Sequence, residues 1–125
     1  GSRNDVALSV FTHHKTHLYL TGSFQETVDF DPGPGFALGT SMGFDDVFVL
    51  KMDTSGNLAW ARTFGGKHDD FGRSVTADRD GNVYVAGGFR DTVDFDPGPG
   101  VAAKAITKSA TGYGNGELFL QKLLK

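Results

Sequence analysis

The chain has no cysteine, only 2 Met and 4 Pro among its 125 residues, and no basic excess, since its formal net charge is −3. Without cysteine it cannot form a disulfide framework, a thiolate nucleophile or a Cys-rich zinc site. No segment approaches the roughly 18 consecutive apolar residues of a membrane-spanning helix. These absences exclude a disulfide scaffold and a spanning helix, and the acidic balance disfavours a nucleic-acid partner.

Glycine is abundant instead, with 18 residues, and 38% of the chain is hydrophobic. Gly interrupts helices and supplies tight turns, so this composition predicts one globular all-β domain built from many short strands. The opening Gly1-Ser2, in place of an initiator Met, is typical of a cloning remnant. A targeting signal therefore cannot be read from this sequence.

An internal repeat organises the sequence. Residues 18–35 read LYLTGSFQETVDFDPGPG and residues 83–100 read VYVAGGFRDTVDFDPGPG, with twelve of eighteen positions identical at an offset of 65. After six extra residues in the second copy, residues 46–51 match residues 117–122. We therefore divide the single domain into unit one, about 4–68, and unit two, about 69–125, which lacks the last strand. The missing strand predicts an unpaired edge that favours self-association.

Each unit is predicted to form antiparallel strands. First strands are expected at 6–11 and 73–78, second strands at 18–24 and 83–89, and a third and fourth strand at 46–52 and 58–64. A glycine inside each second strand predicts a β-bulge or a close backbone approach. Residues 104–116, which contain the insertion, are predicted to be a mobile loop.

Several segments carry a resemblance to a known family. They are FGG at 64–66, DDFGRSV at 69–75, DGNVYVAG at 80–87, DVFVLK at 46–51, SGN at 55–57 and Trp60. Together they resemble the bacterial β-propeller repeat family, found in large exported or surface proteins. The resemblance implies four-stranded blade-like sheets and an extracellular or cell-surface location.

A closed propeller needs about four to eight blades, and this chain has fewer than two units. Three arrangements stay open. The chain is a piece of a larger ring beside neighbouring blades, a ring is completed by several chains, or the units form a two-sheet sandwich.

The most pointed chemical feature is DFDPGPG at residues 29–35 and its copy at 94–100. Alternation along an extended backbone places Asp29 beside Asp31, and likewise Asp94 beside Asp96, next to the carbonyl groups of the Pro-Gly turn. Carboxylate and carbonyl oxygens are the ligands of Ca²⁺, and adjacent carboxylates repel by about 1 kcal/mol or more without a cation. Other repeated acids are further candidate ligands: Asp46 with Glu117, and Asp5 with Asp70. The alternative is that the paired Asp residues form Asx-type turns.

The paired Asp residues are repeated symmetrically, which favours ligand use over an asymmetric acid and base, so we expect no enzymatic activity. The sequence predicts a calcium-binding structural or adhesive repeat module of a bacterial exported or surface protein. The alternative is a lectin-like carbohydrate-binding module with no metal requirement, in which Trp60, Tyr19 and Tyr84 would stack on a sugar; core packing competes with that role. A glycan or a surface protein would then be the partner.

Overall fold

The computed structural model describes residues 3–90, 93–94, 103–108 and 117–123. These residues form eleven strands: β1 (Val6–His13), β2 (His17–Phe24), β3 (Thr27–Asp29), β4 (Leu38–Thr40), β5 (Asp46–Asp53), β6 (Leu58–Gly66), β7 (Phe71–Ala77), β8 (Val83–Phe89), β9 (Val93–Asp94), β10 (Ala103–Lys108) and β11 (Glu117–Leu123). No helix that could cross a membrane occurs in this described part of the chain. The all-β prediction is confirmed.

The strands form two larger sheets and one small hairpin. The first sheet has the order β1-β2-β5-β6, with the short β9 added beside β6, and the second sheet has the order β10-β11-β8-β7. Among the described strands, β3 and β4 pair only with each other. Every strand pair in the described residues is antiparallel, as predicted.

The repeat is visible in the strand order. Strands β1, β2 and β5 of the first sheet correspond to β7, β8 and β11 of the second, and β10 holds the position beside β11 that β6 holds beside β5. The prediction of a mobile loop at 104–116 is wrong for its first part, because residues 103–108 form a strand. Residues 109–116 lie outside the described residues. The sequence predicted an unpaired strand edge in unit two, with its backbone N–H and C=O groups exposed. In the structure β10 pairs with that edge of β11.

The glycines inside β2 and β8 permit the same irregularity twice. The register shifts between Ala7 and Ser9 in β1 and between Gly72 and Ser74 in β7. A Cβ atom on Gly22 would collide with the carbonyl oxygen of Val6, and one on Gly87 would collide with the corresponding atom of Phe71. Of the two predicted alternatives, the close backbone approach is confirmed at both glycines, and the bulge lies in the partner strand, β1 or β7.

Each sheet has two faces, which we name by the third strand of its unit. The front face carries Phe48 in the first sheet and Phe119 in the second. The rear face carries Val47 and Val49 in the first sheet, and their repeat equivalents Leu118 and Leu120 in the second. The main core joins the front of the second sheet to the rear of the first, through Tyr19, Val47, Val49, Phe64, Val75, Val83, Val85, Phe89, Phe119 and Leu123. Non-equivalent faces meet, so the sheets stack like consecutive blades, whereas a symmetrical sandwich would join equivalent faces.

The front face of the first sheet is covered by the β3–β4 hairpin. The ring of Phe30, just after β3, lies 5.2 Å from the ring of Phe24 and 5.3 Å from that of Phe48, measured between centroids. Val28 in β3 is buried in the same cluster as Leu50. Unit one thus closes its own front face with a segment of its own chain.

Candidate functional site

The DFDPGPG hairpin places its apolar and acidic side chains on opposite sides, as alternation predicts. Val28 and Phe30 pack on the sheet, whereas the side chain of Asp29 is exposed. Asp29 Oδ1 accepts hydrogen bonds from the backbone N–H of Asp31 at 3.1 Å and of Ala37 at 2.9 Å. One carboxylate therefore ties the two arms of the hairpin together.

Asp31 forms the next turn of the same loop. Its Oδ1 accepts a hydrogen bond from the N–H of Gly33 at 2.8 Å, which is Asx-turn geometry. Among the described residues, the Oδ2 atoms of Asp29 and Asp31 accept no hydrogen bond. The loop borders an open cleft of about 620 Å³, whose opposite wall is the turn between β5 and β6. The two Asp residues thus build the hairpin and each keep one carboxylate oxygen unengaged.

The second copy of the motif is only partly described. Asp94 lies in β9, where its backbone pairs with Gly65 of the first sheet. The side chain of Asp94 and the whole of Asp96 lie outside what the structure describes, so the calcium prediction for them stays a prediction.

The repeated acids Asp5 and Asp70 anchor equivalent strand ends. Asp70 is 1% exposed and accepts hydrogen bonds from the N–H of Gly66 at 2.7 Å and of Arg90 at 3.1 Å. Asp5 Oδ1 accepts the N–H of Gln25, the repeat equivalent of Arg90, at 3.3 Å. Burial raises the pKa of Asp70, and the two backbone N–H groups oppose that rise. This shared contact fastens the end of the second strand in each unit.

Asp46 is buried with only half of its carboxylate engaged. It is 2% exposed, its Oδ2 accepts the N–H of Met42 at 2.9 Å, and its buried Oδ1 has no hydrogen-bond partner among the described residues. The absence of a side chain at Gly65 makes room for this carboxylate. Burial raises the pKa of Asp46 to about 6. The hydrogen bond from Met42 opposes this rise, and repulsion from the Asp70 carboxylate adds to it. Its counterpart, Glu117, is half-buried at the start of β11.

The predicted ligands do not converge in the part of the chain that the structure describes. No group of three or more acidic or histidine side chains lies in a metal-binding arrangement there. The structure brings Asp46 into electrostatic contact with Asp70, while Asp29 and Asp31 are engaged within their own hairpin.

The three candidate sugar-stacking residues are held by intramolecular contacts. Tyr19 is 1% exposed within the main core, and its ring lies 6.3 Å from that of Trp60. Trp60 is half-buried with the Arg62 guanidinium 5.5 Å above its ring. Tyr84 is half-buried and its hydroxyl donates to Asp78. Tyr19 is therefore part of the hydrophobic core, and Tyr84 lies on the rear face of the second sheet.

A five-residue turn, D-x-x-G-N, occurs twice, at residues 53–57 and 78–82. In each copy the carboxylate accepts two backbone N–H groups and the Asn side-chain amide, and the glycine has a positive φ of 91° or 85°. These bonds lower the pKa of both Asp side chains, to about 2 for Asp78. The sequence analysis did not identify the carboxylates that hold these turns; the shared spacing of Asp before Gly-Asn is the signal that could have revealed them.

Comparison with known proteins agrees with the blade-like sheets. Residues 59–87, from β6 to β8, match the model of a family described as Beta-propeller repeat. A 67-residue segment is 34% identical to the "Uncharacterized WD repeat-containing protein L264" of Acanthamoeba polyphaga mimivirus, and covers 53% of this chain and 5% of that protein. No solved structure matches.

These comparisons support the likeness to a β-propeller repeat and no finer part of the resemblance. The matched relative is viral, and neither finding addresses a bacterial source or the DFDPGPG motif. Residues 59–87 are thus similar to a β-propeller repeat, and the front-to-rear packing of two antiparallel sheets agrees with that likeness.

Proposed function

We propose that the chain is a structural repeat module, whose role is to pack one blade-like sheet against the next in a larger β-structure. The observation that carries this proposal is the front-to-rear core, a single cluster in which Val47 and Val49 of one unit and Val83 and Val85 of the other are fully buried. Burying such side chains contributes roughly 1.5 to 3 kcal/mol each, so this contact stabilises both sheets. We also propose the exported or surface setting that the resemblance implies.

The test is whether the two units unfold together. Trp60 reports on the first sheet by fluorescence, and amide exchange in β8 reports on the second. We expect Val85→Ala, in the second sheet, to lower the urea midpoint that Trp60 reports, because the shared core is lost as one unit. Leu118→Ala, on the open rear face, is the matched control and should leave the midpoint nearly unchanged. Independent unfolding of the sheet around Trp60 would contradict the proposal.

A second candidate function is calcium binding at the DFDPGPG hairpin. The observation that favours it is that Oδ2 of Asp29 and of Asp31 accepts no hydrogen bond from the described residues, beside an exposed Pro-Gly loop. These two carboxylates and nearby carbonyl groups would be the protein ligands, with water completing a shell of six to eight oxygens. Such a site belongs to the weak class of extracellular modules, with dissociation constants of about 0.1 to 1 mM.

The measurement is thermal unfolding of metal-stripped protein in 5 mM Ca²⁺, 5 mM Mg²⁺ or EDTA. At tenfold excess over the dissociation constant, linkage adds about 1.4 kcal/mol, which raises Tm by roughly 3 to 6 °C. Asp31→Asn keeps an acceptor for Gly33 and removes the charge, so it should abolish the Ca²⁺ shift and leave Tm in EDTA nearly unchanged. An equal Tm in Ca²⁺ and EDTA for the parent protein would leave the Asx turn as the whole role of this motif.

A further inference from the structure

The outer edge of β4 is unpaired among the described strands, because β4 pairs only with β3. Two alternate residues bond to the other arm of the hairpin: the Ala37 carbonyl accepts the Phe30 N–H at 3.0 Å, and the N–H of Ser41 donates at 2.9 Å. In an antiparallel pair, neighbouring residues direct their backbone groups to opposite sides. The N–H and C=O groups of Leu38 and Thr40 are therefore directed away from β3.

The β4 segment lacks the usual devices that protect an open strand edge. Proteins block such edges with charged residues, proline or β-bulges. Residues 36–44 read FALGTSMGF, without a charge or a proline, and the described pairing of β4 with β3 has no register shift. The equivalent segment of unit two has Lys104 where β4 has Gly39. The β4 edge is therefore open to pairing with another strand.

The exposed face of the same segment is apolar. Phe36 is 84% exposed, Leu38 is 66% exposed and Met42 is 72% exposed. Monomeric proteins rarely expose contiguous apolar patches larger than a few hundred Å², and such patches mark interaction sites. These side chains flank the open edge, so a strand that pairs with β4 would also cover them.

The segment around Gly39 is symmetrical in side-chain size and in exposure. Residues 36–42 alternate between exposed and covered positions, and the pattern is the same in both directions from Gly39. Equal distances on the two sides hold side chains of similar size: Leu38 and Thr40, Ala37 and Ser41, Phe36 and Met42. In an antiparallel pair of two such strands, these are the residues that face each other. A two-fold dimer needs this self-complementarity, whereas an unrelated partner does not.

We infer that β4 pairs with β4 of a second copy of this chain, antiparallel and with a two-fold axis at Gly39. Leu38 of each copy exchanges N–H and C=O bonds with Thr40 of the other, and the two hairpins form one continuous sheet. The Gly39 residues lie at the axis, where opposite Cα atoms are about 4.5 Å apart and no side chain intervenes.

The ends of the segment contribute side-chain contacts. Phe36 of each copy packs on Met42 of the other, and the Met42 N–H keeps its hydrogen bond to Asp46. Burying these side chains and the edge backbone of both copies removes on the order of 1,000 Å² from water, close to the lower limit for a specific interface. A weak dimer is therefore expected. It uses neither face of the larger sheets, so the inference does not depend on the proposed packing role.

The test is sedimentation equilibrium in EDTA from about 10 μM to about 1 mM protein. We expect a monomer–dimer equilibrium that stops at the dimer, because a two-fold contact occupies the β4 edge of both copies. Leu38→Pro removes an N–H that β3 does not use and places a ring on the edge, so dimerisation should weaken at least tenfold. Leu38→Val keeps the N–H and an apolar side chain, and this matched control should dimerise like the parent.

Two double variants at exposed positions test the register at low salt. Phe36→Lys with Met42→Lys places like charges opposite each other in the inferred dimer, whereas Phe36→Lys with Met42→Glu places opposite charges there. Within one chain the two positions lie about 20 Å apart, so this difference arises only between copies. We expect the Lys–Lys variant to dimerise at least tenfold more weakly than the Lys–Glu variant.

The results that would overturn the inference are distinct from those that test the packing of the sheets. A parent chain that stays monomeric at about 1 mM, or that assembles beyond a dimer, would overturn it. Equal dimerisation of the two double variants would also overturn it, because the contact would then lie elsewhere or in another register. Urea unfolding of each variant at low concentration, with a midpoint like that of the parent, verifies that the fold is intact.

Discussion

The two repeat units use one motif in two different ways. In unit one, the strands on either side of DFDPGPG pair with each other as β3 and β4 and lie over the front of their own sheet. In unit two, β9 adds to β6 of the first sheet and β10 adds to β11 of the second. The front of the second sheet is already covered by the first sheet, so a hairpin cannot lie there. The comparison teaches that the neighbouring surface, and not the motif, decides which strands pair.

The strongest test of this comparison is a charge placed at the same position of each rear face. Val47→Asp buries an unpaired carboxylate between the sheets and should lower the free energy of unfolding by about 4 kcal/mol or more. Leu118→Asp, at the exposed equivalent, should change it by no more than about 0.5 kcal/mol. Urea unfolding at a concentration where the chain is monomeric gives both values. Equal effects would show that the rear faces do not differ in environment.

The next test removes the side chain that holds the unit-one hairpin on its sheet. Phe30→Ala loses two aromatic contacts and the packing of a partly buried ring, so the free energy of unfolding should fall by about 2 to 3 kcal/mol. Amide exchange at the Phe30 N–H, which bonds to the Ala37 carbonyl, should accelerate more than exchange within β8. Uniform acceleration in both units would mean that the hairpin is not a separate cover.

A third test uses pH at a position where the units differ. The pKa of Asp46 in the folded protein is about 6, above its ordinary value of 3.8. The free energy of unfolding should therefore fall as pH rises from about 4 to 6 and stay lower above pH 6, because the buried carboxylate becomes charged. Asp46→Asn should remove this part of the pH dependence, on the order of 1 to 2 kcal/mol. Urea unfolding at pH 4 to 8 measures it. Glu117→Gln, at the half-buried equivalent, is the matched control and should retain the slope; a slope unchanged in Asp46→Asn would contradict the assignment.

The smallest effect is expected in the D-x-x-G-N turns. Because the folded pKa of Asp78 is held near 2, its contribution is complete above about pH 4 and is lost as pH falls towards 2. Asp78→Asn should therefore be less stable than the parent chain at pH 6, and the difference should close at pH 2. Asp53→Asn should cost less, since Asp78 also accepts the Tyr84 hydroxyl. Thermal unfolding of both proteins at pH 6 and pH 2 measures this difference. A difference in Tm that persists at pH 2 would contradict the claim that the ionised Asp78 carboxylate stabilises the turn.

The sequence was sufficient for the features that depend on local pattern. Alternation and turn residues located strands β1, β2, β5 to β8 and β11, and Gly22 indicated the bulge because only a residue without a side chain fits there. It could not locate β3, β4, β9 and β10, because their pairing depends on which face is already covered. Nor could it distinguish Asp70 as a buried backbone anchor from Asp70 as a metal ligand, because the same carboxylate serves either purpose and only three-dimensional neighbours decide.

The glycines in β2 and β8 have a consequence for sequence variation. Gly22 and Gly87 each face a carbonyl oxygen of the adjacent bulged strand, and no side chain can be accommodated without moving that strand. Neighbouring apolar positions can exchange Val, Leu or Ile at modest cost, since the volume is nearly conserved. Natural selection should therefore hold these two glycines more tightly than the core around them, and an alignment of related repeats should show them as the least variable column of the second strand.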